Sequence, residues 1–186
     1  MSRIEFIQPE TAEGTAATLL KQVQGAMGAV PNMAKAMANS PAALKGYLRL
    51  SAALAGGALD AVTRERLALT TAQANACDYC LSVHTYTGTH QAGLGKDEIL
   101  DARRARAADP KTDAVLKFAA AILETRGAVT KEQFTAVRTA GATDEEIGEI
   151  VAAVALNTLT NFYNKAAAVD IDFPTVRAAD LQGAMA

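Results

Sequence analysis

Two cysteines, a histidine and a glutamate fall within the stretch 65–84, which reads ERLALTTAQANACDYCLSVH. Cys77 and Cys80 are the chain's two cysteines, set at C-x-x-C spacing, and His84 follows four residues after the second. On a helix these positions, i, i+3 and i+7, share one face. An imidazole one turn from a thiol can take its proton, and the thiolate is the form that attacks. A helix ending near Asn75, a residue that tolerates left-handed backbone, would place Cys77 in the first turn of the next helix. Free N–H groups there favour an anion, so the helix end argues for Cys77 as the more acidic thiol. The nearby histidine argues for Cys80. Glu65, three turns before the break, is positioned to fold back as a proton acceptor. Together these residues read as a thiol redox site.

Other readings of the same residues are simpler. Two cysteines can be small buried hydrophobes, although a core has no need of them at i and i+3 beside a histidine. Zinc would need four ligands, and only Cys77, Cys80, His84 and Glu65 are available, with no second C-x-x-C. Glu65 sits in Thr63-Arg64-Glu65-Arg66, a run that is ordinarily a solvated first turn. His90 lies on a different face from His84 and reads as structural or exposed. Tyr79 could bond a substrate or shield the thiols. Asn161 and Asn164, three apart on an apolar helix, need partners and would brace the site or an interface rather than react.

The 186 residues suit one domain with a real core. Half are hydrophobic but only 5% aromatic, with no Trp, so alanine fills the interior and favours closely packed helices. A net charge of −2 without a basic cluster weighs against nucleic-acid binding. Met1 to Glu10 lacks the apolar centre of a secretory signal. The longest uncharged apolar run, Ile150 to Leu156, is far too short to cross a bilayer. A soluble, cytoplasmic protein without membrane association is expected. In that compartment a close cysteine pair is more often catalytic or metal-binding than a permanent staple.

The elements that must position the site are all helical. Thr11 to Met27 carries the stripe Leu19, Leu20, Val23 and Met27, and a short piece follows around Met33 and Met37. Pro41 opens a helix that stops at Gly56-Gly57. Thr63 is a candidate cap for Arg64 to Ala74, and the redox helix runs from Cys77 to about Gln91. Lys96 to Ala107 has acids early and arginines late, as the macrodipole prefers. Asp109-Pro110 starts the next helix, Thr130 another, and Thr143 with Glu146 makes a capping box for a long helix to about Ala168. No segment alternates like a half-buried strand. The reading is an all-α single-domain helical bundle of about eight helices, packed over residues 5–175, with 176–186 a tail or a partner-docking arm. A faint echo between Pro41–Thr63 and Pro110–Thr130 suggests a repeated helical unit.

With these residues in view, the chain resembles the alkylhydroperoxidase D-like, carboxymuconolactone decarboxylase superfamily, in its peroxidase-related branch. The likeness rests on Glu65, Cys77, Cys80 and His84 in an E-x11-C-x-x-C-x3-H pattern. It extends to Gly28-Ala-Val-Pro31-Asn32-Met33 with Ser40-Pro41, and to Asn161-Phe-Tyr-Asn164 with Asp172-Phe173-Pro174. The resemblance implies a thiol-dependent peroxidase, with Cys80 attacking the peroxide, Cys77 resolving, and His84 with Glu65 as proton relay. It implies a small-molecule hydroperoxide as substrate, an external thiol or dithiol as reductant, and no cofactor or metal. It also implies a homo-oligomer, a trimer or hexamer, for which the small residues Ala152, Ala153 and Ala155 offer a face. The superfamily's decarboxylases lack the cysteine pair. The alternatives are a general thiol–disulfide oxidoreductase and a non-catalytic helical assembly protein with a zinc or structural cysteine site.

Overall fold

The structure is a computed structural model that describes residues 1–183. Among these residues every regular element is a helix. In order they are α1 (Gly14–Met27), α2 (Asn32–Met37), α3 (Pro41–Ala55), α4 (Ala61–Ala74), α5 (Asp78–His90), α6 (Lys96–Arg103), α7 (Pro110–Thr125), α8 (Lys131–Thr139), α9 (Asp144–Ala167) and α10 (Asp180–Gly183). The fold is all-α, as the sequence predicts, with the short α2 and α10 added to the eight main helices. No helix among the described residues is long and apolar enough to cross a membrane.

Local chemistry sets most of the boundaries. The Ser40 hydroxyl accepts from Ala43 N–H and Pro41 occupies the first turn of α3. Asp109 with Pro110 does the same for α7, and Thr143 with Glu146 forms the capping box of α9. Several predicted ends move: α1 starts at Gly14 rather than Thr11, and α6 stops at Arg103 rather than Ala107. The cap of α4 is Asp60, whose carboxylate accepts from Thr63 N–H, so Thr63 lies inside the helix. The left-handed residue before the redox helix is Ala76 (φ 47°), not Asn75, which keeps φ −85°.

Helix α4 is the hub. It packs on α5, α6, α7 and α9, and Leu67 to Ala72 are buried in an unbroken run, as in a helix surrounded on all sides. These helices share the main apolar core. A second, smaller core under α1, α2 and α3 is built from Leu19, Leu20, Val23, Met37 and Leu44, and Tyr163 of α9 touches both. The site lies between the two.

The segment after Pro174 is packed rather than loose. Val176 N–H donates to the Ser82 hydroxyl at 2.9 Å, Ala178 N–H donates to Asp78 Oδ1 at 2.8 Å, and Leu181 is buried. The expected tail is therefore docked on α5 through residue 181. Its last positions, 184–186, lie outside the described residues.

Candidate active site: a buried dithiol facing an apolar cavity

Ala76 turns the chain so that α5 begins almost at once after α4. Cys77 is the N-cap of α5, one residue before its first turn, and its Sγ accepts from Cys80 N–H at 3.3 Å. One turn on, Cys80 Sγ lies 2.6 Å from Cys77 Sγ, so a disulfide can close with little movement. Both thiols are free and almost wholly buried, 1% and 2% exposed.

Glu65 does fold back, as its spacing predicted. Its Oε2 lies 3.0 Å from His84 Nδ1 and accepts from the Thr87 hydroxyl at 2.8 Å. Side-chain exposure is 22% for His84 and 25% for Glu65, so neither is a freely solvated group. Burial opposes the charged imidazole, but the Glu65 carboxylate beside it prevails and holds the His84 pKa above its ordinary value. Burial also opposes charge on Glu65, yet His84, Thr87 and Arg64 together hold its pKa below the ordinary range. The two groups therefore favour an ion pair.

The thiols shift in opposite directions. The Cys80 S–H bonded to Cys77 lowers the Cys77 pKa despite burial, helped by Cys80 N–H and the charge of His84. The same contact, burial and the charge on Cys77 raise that of Cys80. In such a pair the first proton to leave comes from the capping residue Cys77 rather than from Cys80. This agrees with the helix-end argument and departs from the expectation that histidine makes Cys80 the more acidic. The physical reason is distance: among the described residues no direct hydrogen bond joins His84 to either sulfur.

What joins them is a cavity of about 350 Å³. Cys80, His84, Glu65 and Tyr79 contribute to its wall, with Asn157 and Asn164 from α9. The opposite wall, Val23, Met27, Met33, Tyr47, Leu48 and Leu54, comes from α1 to α3 and is mostly apolar. Cys77 is set behind Cys80, away from the lining. Tyr79 is both wall and strut, since its hydroxyl accepts from Met33 N–H at 3.1 Å. Asn164 Nδ2 donates to Cys80 Sγ at 3.3 Å. His90 is exposed and packs on the Tyr86 ring, away from this group.

Thr87 and Tyr47 went unmarked as site residues in the sequence, and Asn75 was marked only as a helix end. Thr87 could have been found, because it follows His84 by one turn on the same face. Tyr47 reads only as one more member of an apolar stripe. Among the described residues no three of His, Cys, Asp and Glu converge as metal ligands.

Residues 41–125, which span α3 to α7 and include Glu65, Cys77, Cys80 and His84, match the carboxymuconolactone decarboxylase family. That match is confined to these helices, and over the rest of the chain the likeness to known proteins is one of fold. An uncharacterised peroxidase-related protein from Ralstonia eutropha with an alkylhydroperoxidase core is similar over 92% of each chain, with 24% identity and a TM-score of 0.80. An uncharacterised peroxidase-related protein from a Silicibacter species is similar over 98% of this chain and 94% of its own, with 21% identity and a TM-score of 0.76. The debrominase Bmp8, solved with 2,3,4-tribromopyrrole, is similar over the full length of both chains, with 17% identity and a TM-score of 0.74. At these identities the likeness is one of fold. No curated protein matches the chain significantly.

Proposed function

We propose that the protein is a thiol-dependent peroxidase that reduces small hydroperoxides through a Cys77–Cys80 dithiol/disulfide cycle. The observation that carries this is the placing of two sulfurs 2.6 Å apart, one of them on the wall of a cavity that the Glu65–His84 pair also lines. When the pair loses a proton, Cys77 is the sulfur that first holds the charge. Transfer of the Cys80 proton across the short S–H···S contact leaves the thiolate on the sulfur that substrate can reach. That sulfur attacks the distal oxygen of ROOH, an S–O bond forms, the O–O bond breaks, and RO⁻ leaves with a proton from the His84 imidazolium. Cys80 is now a sulfenic acid. The Cys77 sulfur attacks Cys80 Sγ; the S–S bond forms, the S–O bond breaks, and hydroxide leaves as water with the Cys77 proton. An external thiol or dithiol then reduces the disulfide.

Reach decides between the sulfurs, which is why Cys80 is assigned the attack although Cys77 is the more acidic. Burial of both sulfurs also weighs against a general thiol–disulfide oxidoreductase acting on folded proteins. Cys80→Ser should abolish hydroperoxide consumption, and Cys77→Ser should leave a sulfenic acid at Cys80 that a dione reagent traps. Equal trapping at Cys77 in the reciprocal variant would reverse the assignment. Turnover on a small disulfide far above that on hydroperoxides would replace the peroxidase reading.

A further inference from the structure

Two buried amides of α9 have no part in the cycle as written. Asn161 is 0% exposed and Asn164 is nearly as deep. Each has one engaged atom and one orphan. Asn164 Nδ2 donates to Cys80 Sγ, and its Oδ1 has no partner among the described residues. Asn161 Oδ1 accepts from Asn75 Nδ2 at 3.0 Å, and its Nδ2 has none. The Asn75 contact fixes which way the Asn161 amide is turned: its oxygen faces the end of α4, and its nitrogen is the atom left over. Both amides act on Cys80 to favour its charged form. A buried N–H left over beside a reacting sulfur calls for an acceptor that the resting state lacks.

We propose that Asn161 and Asn164 form a two-donor cradle for the anion on Cys80, first as thiolate and then as the oxygen of its sulfenate. Only the sulfenate half rests on the peroxidase reading; stabilisation of the thiolate does not. A thiol accepts weakly, whereas a thiolate accepts several hydrogen bonds, so fixed donors favour the anion. When oxygen is added to Sγ, the Asn161 N–H gains the acceptor it is missing. The amides are neutral, so they support the anion without adding a competing charge to the site. Asn75, which touches Asn161 and not the sulfur, is a positioning residue.

The test uses the Cys77→Ser protein, in which Cys80 is the one remaining thiol. Its alkylation rate by iodoacetamide against pH reads the ionisation of that sulfur. The titratable and charged groups around it are Tyr79 and His84 on its own helix, Tyr47 on α3, Arg64 and Glu65 on α4, and Lys165 of α9 beyond Cys77; the variants leave all of them in place. Adding Asn164→Leu should move the midpoint up by about 1–2 pH units, the size of one hydrogen bond to a charged group. Asn75→Ala should move it the same way by less. A midpoint unmoved by Asn164→Leu overturns the cradle, and one unmoved by Asn75→Ala alone overturns the part given to Asn161. If circular dichroism shows Asn164→Leu unfolded, Asn164→Ala carries the same test. No hydroperoxide is present, so a failed titration strikes the cradle alone. Wild-type protein inert toward hydroperoxides would strike the peroxidase reading alone.

Discussion

Replacing Glu65 by glutamine keeps the shape of the side chain and removes the charge that holds His84 ionised. The contact is a hydrogen bond of 3.0 Å between partners that are each about three-quarters buried. Hydrogen bonds to charged groups contribute about 1.5–3 kcal/mol. At about 1.36 kcal/mol per pH unit, the His84 pKa should fall by roughly 1–2 units in Glu65→Gln. The chain has two histidines, so the imidazole proton resonances resolve them directly. The same substitution should alter stability in a definite pH window. A raised histidine pKa contributes stability that is present below the unfolded value, about 6.5, and lost as pH rises through the folded one. A lowered carboxyl pKa contributes stability that is lost as pH falls through its folded value, below about 4.3. The pair therefore acts between these limits. Glu65→Gln should lower the urea midpoint near pH 6 and lose that effect at pH 9. A His84 resonance titrating at the same pH in both proteins would refute the ion pair and the relay built on it.

The other expectations concern the backbone and the surface. Ala76 holds a left-handed conformation that costs a residue with a Cβ about 1–2 kcal/mol, so Ala76→Gly should raise the urea midpoint by the equivalent of about 1 kcal/mol. A lower midpoint would show that the turn before Cys77 is unstrained. Val151, Ala155, Leu159 and Phe162 lie exposed along one side of α9, which supports the expected homo-oligomer. Sedimentation should give a multiple of the chain mass, reduced by Phe162→Glu; a wild-type monomer would refute the assembly.

Much of the architecture could be read from punctuation. Proline at the start of α3 and α7, the Thr143–Glu146 box and the glycine breaks all mark helix ends by chemistry confined to four or five residues. The site's first layer was legible for the same reason, since a single helical face carries Cys80, His84 and, unnoticed, Thr87. Contributions from distant chain were not legible. Nothing near Tyr47 says that its ring meets a cavity under α5, and nothing near Asn164 says that its partner is a sulfur 84 residues away. Ala153, offered as part of an assembly face, is turned into the core, while Ala155 faces outward. The segment 176–181 has no hydrophobic period because backbone groups bonded to Ser82 and Asp78 hold much of it. Asn75 was the natural choice for a left-handed turn, yet Ala76 takes it, and the Asn75 side chain instead bonds Asn161.

The near-complete cover over the sulfurs has a kinetic corollary. On the proposed peroxidase cycle, oxidant and reductant would both reach Cys80 through the cavity it lines, in turn rather than together. Turnover on such a plan alternates: one visitor departs before the next is admitted. Excess of either visitor then slows the other's half of the cycle by occupying the threshold, so the fastest rate belongs to a balance of the two.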